Sequence, residues 1–385
     1  MSRLNQSQDR PDAEEIPKEF MDASDFTEEY AKEVRKQLSG VPILKHECSA
    51  EIGDYVVDLR YSPDGKNVAV ASAQGRIHIL NSDDLKSRHV FEGHELGTLT
   101  VAWSKDSQLL ASGGQDGKFK LWDLSSGRRI IEQNGGSAWV EHVRFSPDSG
   151  SEARIVTASG KVLRVWSSTG ELIQEFEPHP NTVSGVEWRG SSERLITSCY
   201  GGIRLWEMGS PQPKRLFGWK GSPISLKLGP NGKWVACGSQ DSSVHIWKTV
   251  SGEDLEMSGY PVKVKELAWS PDSRYLATGG GAELTIWDFS GKGPAGSKPL
   301  VRSGHVELIA GMEFQPKKGS AFLASLGKEG ALFFWNLEGR KKPLGLGYRV
   351  GQGEGSRLAW SPDGAAVVTG YASGEVCLWR APALD

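Results

Sequence analysis

Apolar and polar positions alternate along short segments that recur through most of the chain. Each repeat has an alternating run that ends in an aromatic residue, a Ser-Pro-Asp type of turn, a short strand of small residues, and a strand that usually ends in tryptophan. Such alternation predicts β-strands. The terminal positions of the eight copies are Leu80, Trp122, Trp166, Trp206, Trp247, Trp287, Trp335 and Trp379. A spacing of about 40–45 residues is typical of a four-stranded propeller blade.

One copy cannot form a stable unit by itself. The segment 98–103 alternates as expected for an inner strand, and turns such as Ser62-Pro-Asp-Gly65 combine a proline that presets φ with an aspartate that caps the turn. A lone blade leaves both faces of its sheet exposed, so neighbouring blades must stack around a ring. The pattern therefore predicts an all-β, eight-bladed β-propeller; seven blades with an extra hairpin is the alternative.

The two ends of the chain raise the question of how the ring closes. After Trp379 too few residues remain for a further strand, so we expect the segment 41–50 to supply the outermost strand of the last blade. Before it, residues 1–23 are polar and predicted to be disordered, and residues 24–40 contain an amphipathic helix from Asp25 to Leu38. That helix docks either on the propeller or on a partner. The propeller domain is expected to span 41–385.

The second copy carries a recognisable set of polar residues. It contains Gly93-His94, then Ser112, Asp116 and Trp122-Asp123, and in this it resembles the WD-repeat (Trp-Asp repeat) β-propeller family. The resemblance covers about residues 41–380 and implies that these side chains form a hydrogen-bonded network within the blade. The seventh copy is similar, with His305, Ser325, Glu329 and Trp335.

Composition and charge limit the classes of partner and the cellular compartments that we expect for this protein. The 385 residues are 38% apolar and 24% charged, with a net charge of −3. This balance predicts a soluble globular chain and gives no electrostatic reason to expect nucleic acid or an anionic membrane. No apolar stretch approaches a membrane span, no secretory signal is visible, and the four cysteines are far apart. We expect a cytoplasmic protein, or a nuclear one in a eukaryote.

The sequence offers no convincing catalytic motif. Ser, His and Asp recur together, but the family resemblance makes them structural, and neither a Gly-x-Ser-x-Gly elbow nor a phosphate-binding loop occurs. We therefore predict a protein that is not an enzyme and has no cofactor. The alternative is a cofactor- or metal-binding propeller, either an enzyme or a metal carrier. His46 and Cys48, two residues apart, could seed a metal site.

The rim around the central channel is the predicted binding surface. The family resemblance implies that partners bind there, and alignment of the copies gives rim residues that differ from blade to blade. Large aromatic side chains dominate the energetics of many interfaces, and charges give specificity. The residues expected to bind the partner are Tyr55, Trp139, Glu141, Lys263, Lys265, Leu308 and Glu354. Alternatively, Trp139 packs sideways on an adjacent blade. The predicted function is that of a non-catalytic scaffold, monomeric by itself, for a protein or peptide partner.

Overall fold

The computed structural model describes residue 36 and residues 38–291, 293–348 and 353–382. The predicted tail at 1–23 and all but the last residues of the predicted helix region at 24–40 lie outside the described residues. In the described part of the chain, almost all regular elements are short β-strands.

The first ten strands lead from the start of the described chain through two blades. Two short strands come first: β1, Ile43–Leu44, and β2, Cys48–Glu51. Blade 1 consists of β3 (Val56–Tyr61), β4 (Asn67–Ser72), β5 (Ile77–Asn81) and β6 (Ser87–Phe91). Blade 2 consists of β7 (Thr98–Trp103), β8 (Leu109–Gly114), β9 (Lys118–Asp123) and β10 (Arg128–Asn134).

Four further blades repeat this antiparallel arrangement. Blade 3 has β11 (Val140–Phe145), β12 (Arg154–Ser159), β13 (Val162–Ser167) and β14 (Leu172–Glu175), with a 3-10 helix at Gly150–Glu152. Blade 4 has β15 (Gly185–Trp188), β16 (Arg194–Cys199), β17 (Gly201–Glu207) and β18 (Arg215–Trp219). Blade 5 has β19 (Pro223–Leu228), β20 (Trp234–Ser239), β21 (Val244–Lys248) and β22 (Asp254–Met257). Blade 6 has β23 (Glu266–Trp269), β24 (Tyr275–Gly279), β25 (Leu284–Asp288) and β26 (Leu300–Arg302).

The last two blades each take a strand from the beginning of the described chain. Blade 7 has β27 (Ile309–Phe314), β28 (Phe322–Gly327), β29 (Leu332–Asn336) and β30 (Gly345–Gly347), with β1 as a fifth strand beside β30. Blade 8 has β31 (Gly355–Trp360), β32 (Ala366–Tyr371) and β33 (Glu375–Arg380), with β2 as its outermost strand. The prediction of eight blades is confirmed, and the seven-bladed alternative is wrong.

The junction between blades 7 and 8 holds the ring closed. Strand β2 is antiparallel to β33, pairing Ala50 with Val376, whereas β1 is parallel to β30, pairing Ile43 with Leu346. The sequence predicted one continuous strand over 41–50, and the structure has two, because the chain passes from one blade to the next between them. Leu38, at the end of the predicted helix, is buried in the core of blades 6 and 7.

The core lies between adjacent blades rather than at the centre of the ring. One cluster, for example, joins Ile77 and Phe91 of blade 1 to Val101, Leu110 and Trp122 of blade 2. Full burial of each large apolar side chain contributes roughly 1.5–3 kcal/mol. Every blade therefore depends on its neighbours for the burial of both faces.

Blades are also linked in pairs by tryptophan. In even-numbered blades the innermost strand ends in tryptophan, and its indole N–H donates to a backbone carbonyl of the preceding odd-numbered blade. The four bonds run from Trp103 to Arg60 (3.1 Å), Trp188 to Arg144 (3.2 Å), Trp269 to Lys227 (3.2 Å) and Trp360 to Glu313 (2.9 Å). Each bond satisfies a donor that would otherwise be costly to bury.

A β-bulge near the start of the innermost strand sets the orientation of the side chains that follow it. It occurs in six blades, at Val57, Leu99, Glu141, Ile224, Ala310 and Ser356. Strict alternation from Val57 would direct Leu59 towards the channel, but the extra residue shifts the pattern by one. Leu59 is instead buried between blades, and Asp58 and Arg60 take the other side of the strand.

Candidate partner-binding face

The Ser, His, Asp and Trp side chains of blade 2 form one buried chain of hydrogen bonds. Trp122 Nε1 donates to Ser112 Oγ at 2.9 Å, and Ser112 Oγ lies 2.9 Å from His94 Nε2. His94 Nδ1 lies 2.8 Å from Asp116 Oδ1. Burial lowers the pKa of His94, although the carboxylate of Asp116 acts in the opposite direction. Because Ser112 has no exposed surface, a substrate could not reach its hydroxyl.

Blade 7 repeats this arrangement with glutamate in place of aspartate. His305 Nδ1 lies 2.5 Å from Glu329 Oε1, and His305 Nε2 lies 2.7 Å from Ser325 Oγ. Trp335 Nε1 donates to the same serine at 2.9 Å. The two blades in which the sequence shows the full residue set thus share one geometry.

Other blades reach a similar geometry with residues that sequence reasoning missed. In blade 4, His179 Nε2 and Trp206 Nε1 both lie 2.8 Å from Thr197 Oγ1. In blade 6, Tyr260 replaces histidine: its hydroxyl lies 2.8 Å from Thr278 Oγ1 and accepts a hydrogen bond from Trp287 at 3.1 Å. His179 lies between two prolines rather than after glycine, so a search for Gly-His could not find it.

The predicted rim residues occupy equivalent places on one face of the ring. This face, here called the top face, is formed by the loops that lead into the innermost strands and by the turns between the second and third strands of each blade. In five blades the carbonyl of the rim residue accepts a hydrogen bond from such a turn. Three of them are the predicted residues Tyr55, Leu308 and Glu354, and the other two are Gly97 and Ser222 at the same place in blades 2 and 5.

Large apolar side chains are exposed on the top face. Trp139 is 50% exposed, Leu308 44% and Tyr55 42%. Leu96 and Tyr200, which the alignment of copies did not single out, are also exposed there. Exposed aromatic residues at a loop are the type that dominates interface energetics.

The loop that carries Trp139 is anchored on both sides. Gly135 N donates to the carbonyl of Gly117 at 2.9 Å, and Ser159 Oγ donates to the carbonyl of Ala138 at 2.6 Å. A Cβ at Gly136 would lie 2.4 Å from Ser159 Oγ, so this approach requires glycine. Trp139 is therefore presented by backbone that is held in place before a partner arrives.

The charged rim residues fall into separate arcs. Lys263 and Lys265 are exposed at the start of blade 6, and partial desolvation together with the nearby Arg357 lowers the pKa of Lys265. Glu354 is exposed and lies 3.5 Å from Lys328 Nζ. Across the ring, burial raises the pKa of Glu141. The structure thus places the lysines and Glu354 on the arc of blades 6 to 8 and Glu141 in blade 3.

Below the rim, the channel carries charged residues that the sequence analysis did not select. Arg60 Nε lies 3.2 Å from Asp58 Oδ1, and Lys227 Nζ lies 4.0 Å from Glu187 Oε1. The fields of Glu187 and of Glu313 in blade 7 raise the pKa of Arg60, after the larger effect of Asp58. The available signal was a charged residue one place before the terminal aromatic of an inner strand, as at Arg60, Glu187 and Glu313. This inner lining is polar, with charges of both signs.

The proposed metal ligands do not come together as a site. His46 lies outside strand β2 and packs edge-on against Trp379, at 5.8 Å between ring centroids. Burial raises the pKa of the Cys48 thiol, which disfavours the thiolate that metals bind. Across the described ranges, no three His, Cys, Asp or Glu side chains are grouped to hold a metal ion. In the same ranges no helix is long and apolar enough to cross a membrane.

The blade topology and the buried tryptophan networks define a repeat β-propeller, and comparison with known sequences gives the family. The pattern described as "WD domain, G-beta repeat" matches residues 85–123, 170–207, 212–248, 255–288 and 356–380. The chain belongs to the WD40-repeat β-propellers. This confirms the resemblance that the sequence motifs indicated.

Curated relatives are distant and carry different names. Pre-mRNA-processing factor 17 of Mus musculus is 25% identical over 269 residues, which cover 66% of this chain and 45% of that protein. Nuclear distribution protein nudF of Aspergillus niger is 24% identical, covering 65% and 61% respectively. Guanine nucleotide-binding protein subunit beta of Nicotiana tabacum is 24% identical, covering 60% and 68%. The chain thus spans less than half the length of the first of these relatives.

A solved structure shares the architecture. The crystal structure of the computationally designed Ika8 protein matches with a TM-score of 0.72 and 17% sequence identity, covering 88% of this chain and 100% of that chain. At this identity the likeness concerns the fold alone.

Proposed function

We propose that this protein is a non-catalytic scaffold that binds a protein or peptide partner on its top face. The observation that carries the proposal is the half-exposed Trp139 on a loop anchored to two neighbouring turns. A loop whose backbone is already held in place loses little conformational entropy on binding. The free energy gained when a partner removes the Trp139 ring from water can therefore contribute mostly to affinity.

The differences between rim residues from blade to blade support the same proposal. Blade packing alone favours similar residues at equivalent positions, yet the rim combines Tyr55, Trp139 and Leu308 with Lys263 and Glu354. Among the relatives, guanine nucleotide-binding protein subunit beta is by its name one subunit of an assembly. We propose a comparable role in a cytoplasmic complex for this chain, which would be monomeric until its partner binds.

The experiment is affinity capture of the tagged full chain from its own cells, followed by mass spectrometry. Trp139→Ala is compared with Leu172→Ala, a matched control in the same blade whose side chain is 51% exposed on the outermost strand. A hot-spot tryptophan contributes about 2 kcal/mol or more, which corresponds to roughly a thirtyfold loss of affinity. We expect partners to be lost with Trp139→Ala and kept with Leu172→Ala. Equal capture by both variants, with circular dichroism showing both to be folded, contradicts the proposal.

A further inference from the structure

A cleft beside Trp139 has walls suited to one kind of ligand group. It has a volume of about 470 Å³ and lies on the top face where blades 2, 3 and 4 meet. Its walls are the Trp139 loop, the turn between β8 and β9, and the turn after β12. The side chains that give it chemical character are Leu96, Gln115, Asp116, Trp139, Glu141 and Thr182.

The charge in this cleft has one sign. Its lining contains two carboxylates, Asp116 and Glu141, and no lysine or arginine. Two ammonium groups lie near the cleft without lining it: Lys118 Nζ lies 2.6 Å from Glu132, and Lys120 Nζ donates to the carbonyl of Gly93 at 2.5 Å and lies 3.8 Å from Asp116 Oδ2. Lys120 thus offsets part of the charge of Asp116 from outside the cleft, whereas the walls of the cleft hold no counterion for Glu141.

Both carboxylates have unused capacity for a hydrogen-bond donor. Asp116 uses Oδ1 for His94 and for the backbone N–H of Lys118, while Oδ2 is buried without a hydrogen bond from any described residue. The nearest cation to Oδ2 is Lys120 Nζ, at 3.8 Å. Glu141 forms no ion pair within the described chain, and its bulge position removes it from the regular strand ladder. Because Asp116 Oδ2 has almost no exposed surface, the carboxylate that an incoming N–H group can reach is that of the partly exposed Glu141.

We propose that this cleft binds an arginine or lysine side chain from an exposed segment of the protein partner. The cationic head would lie beside the ring of Trp139 and donate to the carboxylate of Glu141, while its aliphatic stem would cover Leu96. Aromatic rings attract cations through their negative faces, and carboxylates form the strongest hydrogen bonds with charged donors. This inference rests on the proposed function, because it names the partner group that the rim recognises.

The test measures binding of short peptides to the full chain. The protein is labelled with 5-fluorotryptophan, and the signal of Trp139 is assigned from its absence in Trp139→Phe. The probes are N-acetyl-Gly-X-Gly-amide peptides in which X is arginine, lysine, glutamate or citrulline, the last being a neutral analogue of arginine. We expect a saturable shift of the Trp139 signal with arginine or lysine, and binding at least about fivefold weaker with citrulline and glutamate.

A conservative variant separates charge from shape. Glu141→Gln keeps the size of the side chain and removes its charge, and we expect it to weaken binding of the cationic peptides about fivefold. Equal affinity for arginine and citrulline, unchanged affinity in Glu141→Gln, or no saturable shift with either cationic peptide would overturn the inference. If Trp139→Ala nevertheless abolishes partner capture, the rim remains the binding face and only the identity of the bound group is wrong.

Discussion

Ser112 occupies the centre of the blade 2 network, where one hydroxyl serves both Trp122 and His94. Thr197 has the same place in blade 4, and Thr369 accepts from Trp379 in blade 8 at 2.8 Å. Several blades thus have a hydroxyl at this position, whereas blade 1 has Val70 and blade 5 has Cys237. This arrangement ties the second and third strands of a blade to the loop that precedes the blade.

Removal of that hydroxyl should destabilise the fold. Ser112→Ala leaves a buried indole N–H and a buried imidazole nitrogen without their partner, and we expect a loss of about 1–3 kcal/mol in the free energy of unfolding. Ser125→Ala, in an exposed turn, should change it by less than about 0.5 kcal/mol. Urea titration monitored by circular dichroism gives both values. If Ser112→Ala instead abolished an activity with the unfolding curve unchanged, the serine would have a catalytic role.

His179 makes the blade 4 network sensitive to acid. Burial, followed by the field of Arg204, lowers the pKa of this histidine to about 4. The unfolded chain binds the proton with an ordinary pKa of about 6.5, so stability is full at neutral pH and falls as pH drops from about 6.5 to about 4.

We expect the wild type to lose about 2 kcal/mol through His179 between roughly pH 7 and pH 5. His179→Asn should be less stable at neutral pH, but its stability should fall less steeply over this interval. Urea titrations at both pH values measure the two slopes. Identical slopes for the two proteins would show that folding does not lower the pKa of His179.

Among the elements, the outer strands near the chain start were harder to predict than the inner ones. Alternation and the Ser-Pro-Asp turns indicated the inner strands, but the segment 41–50 carries no sign that it divides between two sheets. The bulges were hidden for a similar reason: Val57 and Glu141 fit an alternating pattern, and only pairing with the neighbouring strand shows the extra residue. The channel residues Asp58 and Arg60 were missed as a consequence.

Strands β1 and β2, which add to blades 7 and 8, can be tested separately by truncation. Deletion of residues 1–46 removes β1 and leaves β2, whereas deletion of residues 1–51 also exposes the edge of β33. An unpaired edge and an open blade interface favour aggregation. We expect the longer deletion to melt well below the shorter one and to aggregate, as measured by thermal melts with light scattering. Equal melting of the longer deletion and the full chain would mean that β2 does not hold the ring closed.

For the whole molecule, the number of blades followed from the spacing of the terminal tryptophans. In six of the eight blades this tryptophan is buried between sheets, so the repeat could not change its spacing without loss of core packing. The face that binds a partner is harder to predict from the sequence, because exposed residues need not be similar from one blade to the next. The sequence indicated Trp139 and Tyr55 as rim residues, but the cleft beside Trp139 depends on how three loops meet in space.

The central claim is that partners contact the top face and not the outer edge of the ring. Site-specific photo-crosslinking tests it most directly, with p-benzoylphenylalanine placed at one position at a time in the full chain. The top-face positions are Tyr55, Trp139 and Leu308, and the outer-strand positions of similar exposure are Ile130, Leu172 and Leu216. After irradiation in the native cells, we expect the same partner to be crosslinked from the top-face positions and absent from the outer ones. Crosslinks from the outer strands, with none from the top face, would contradict the account.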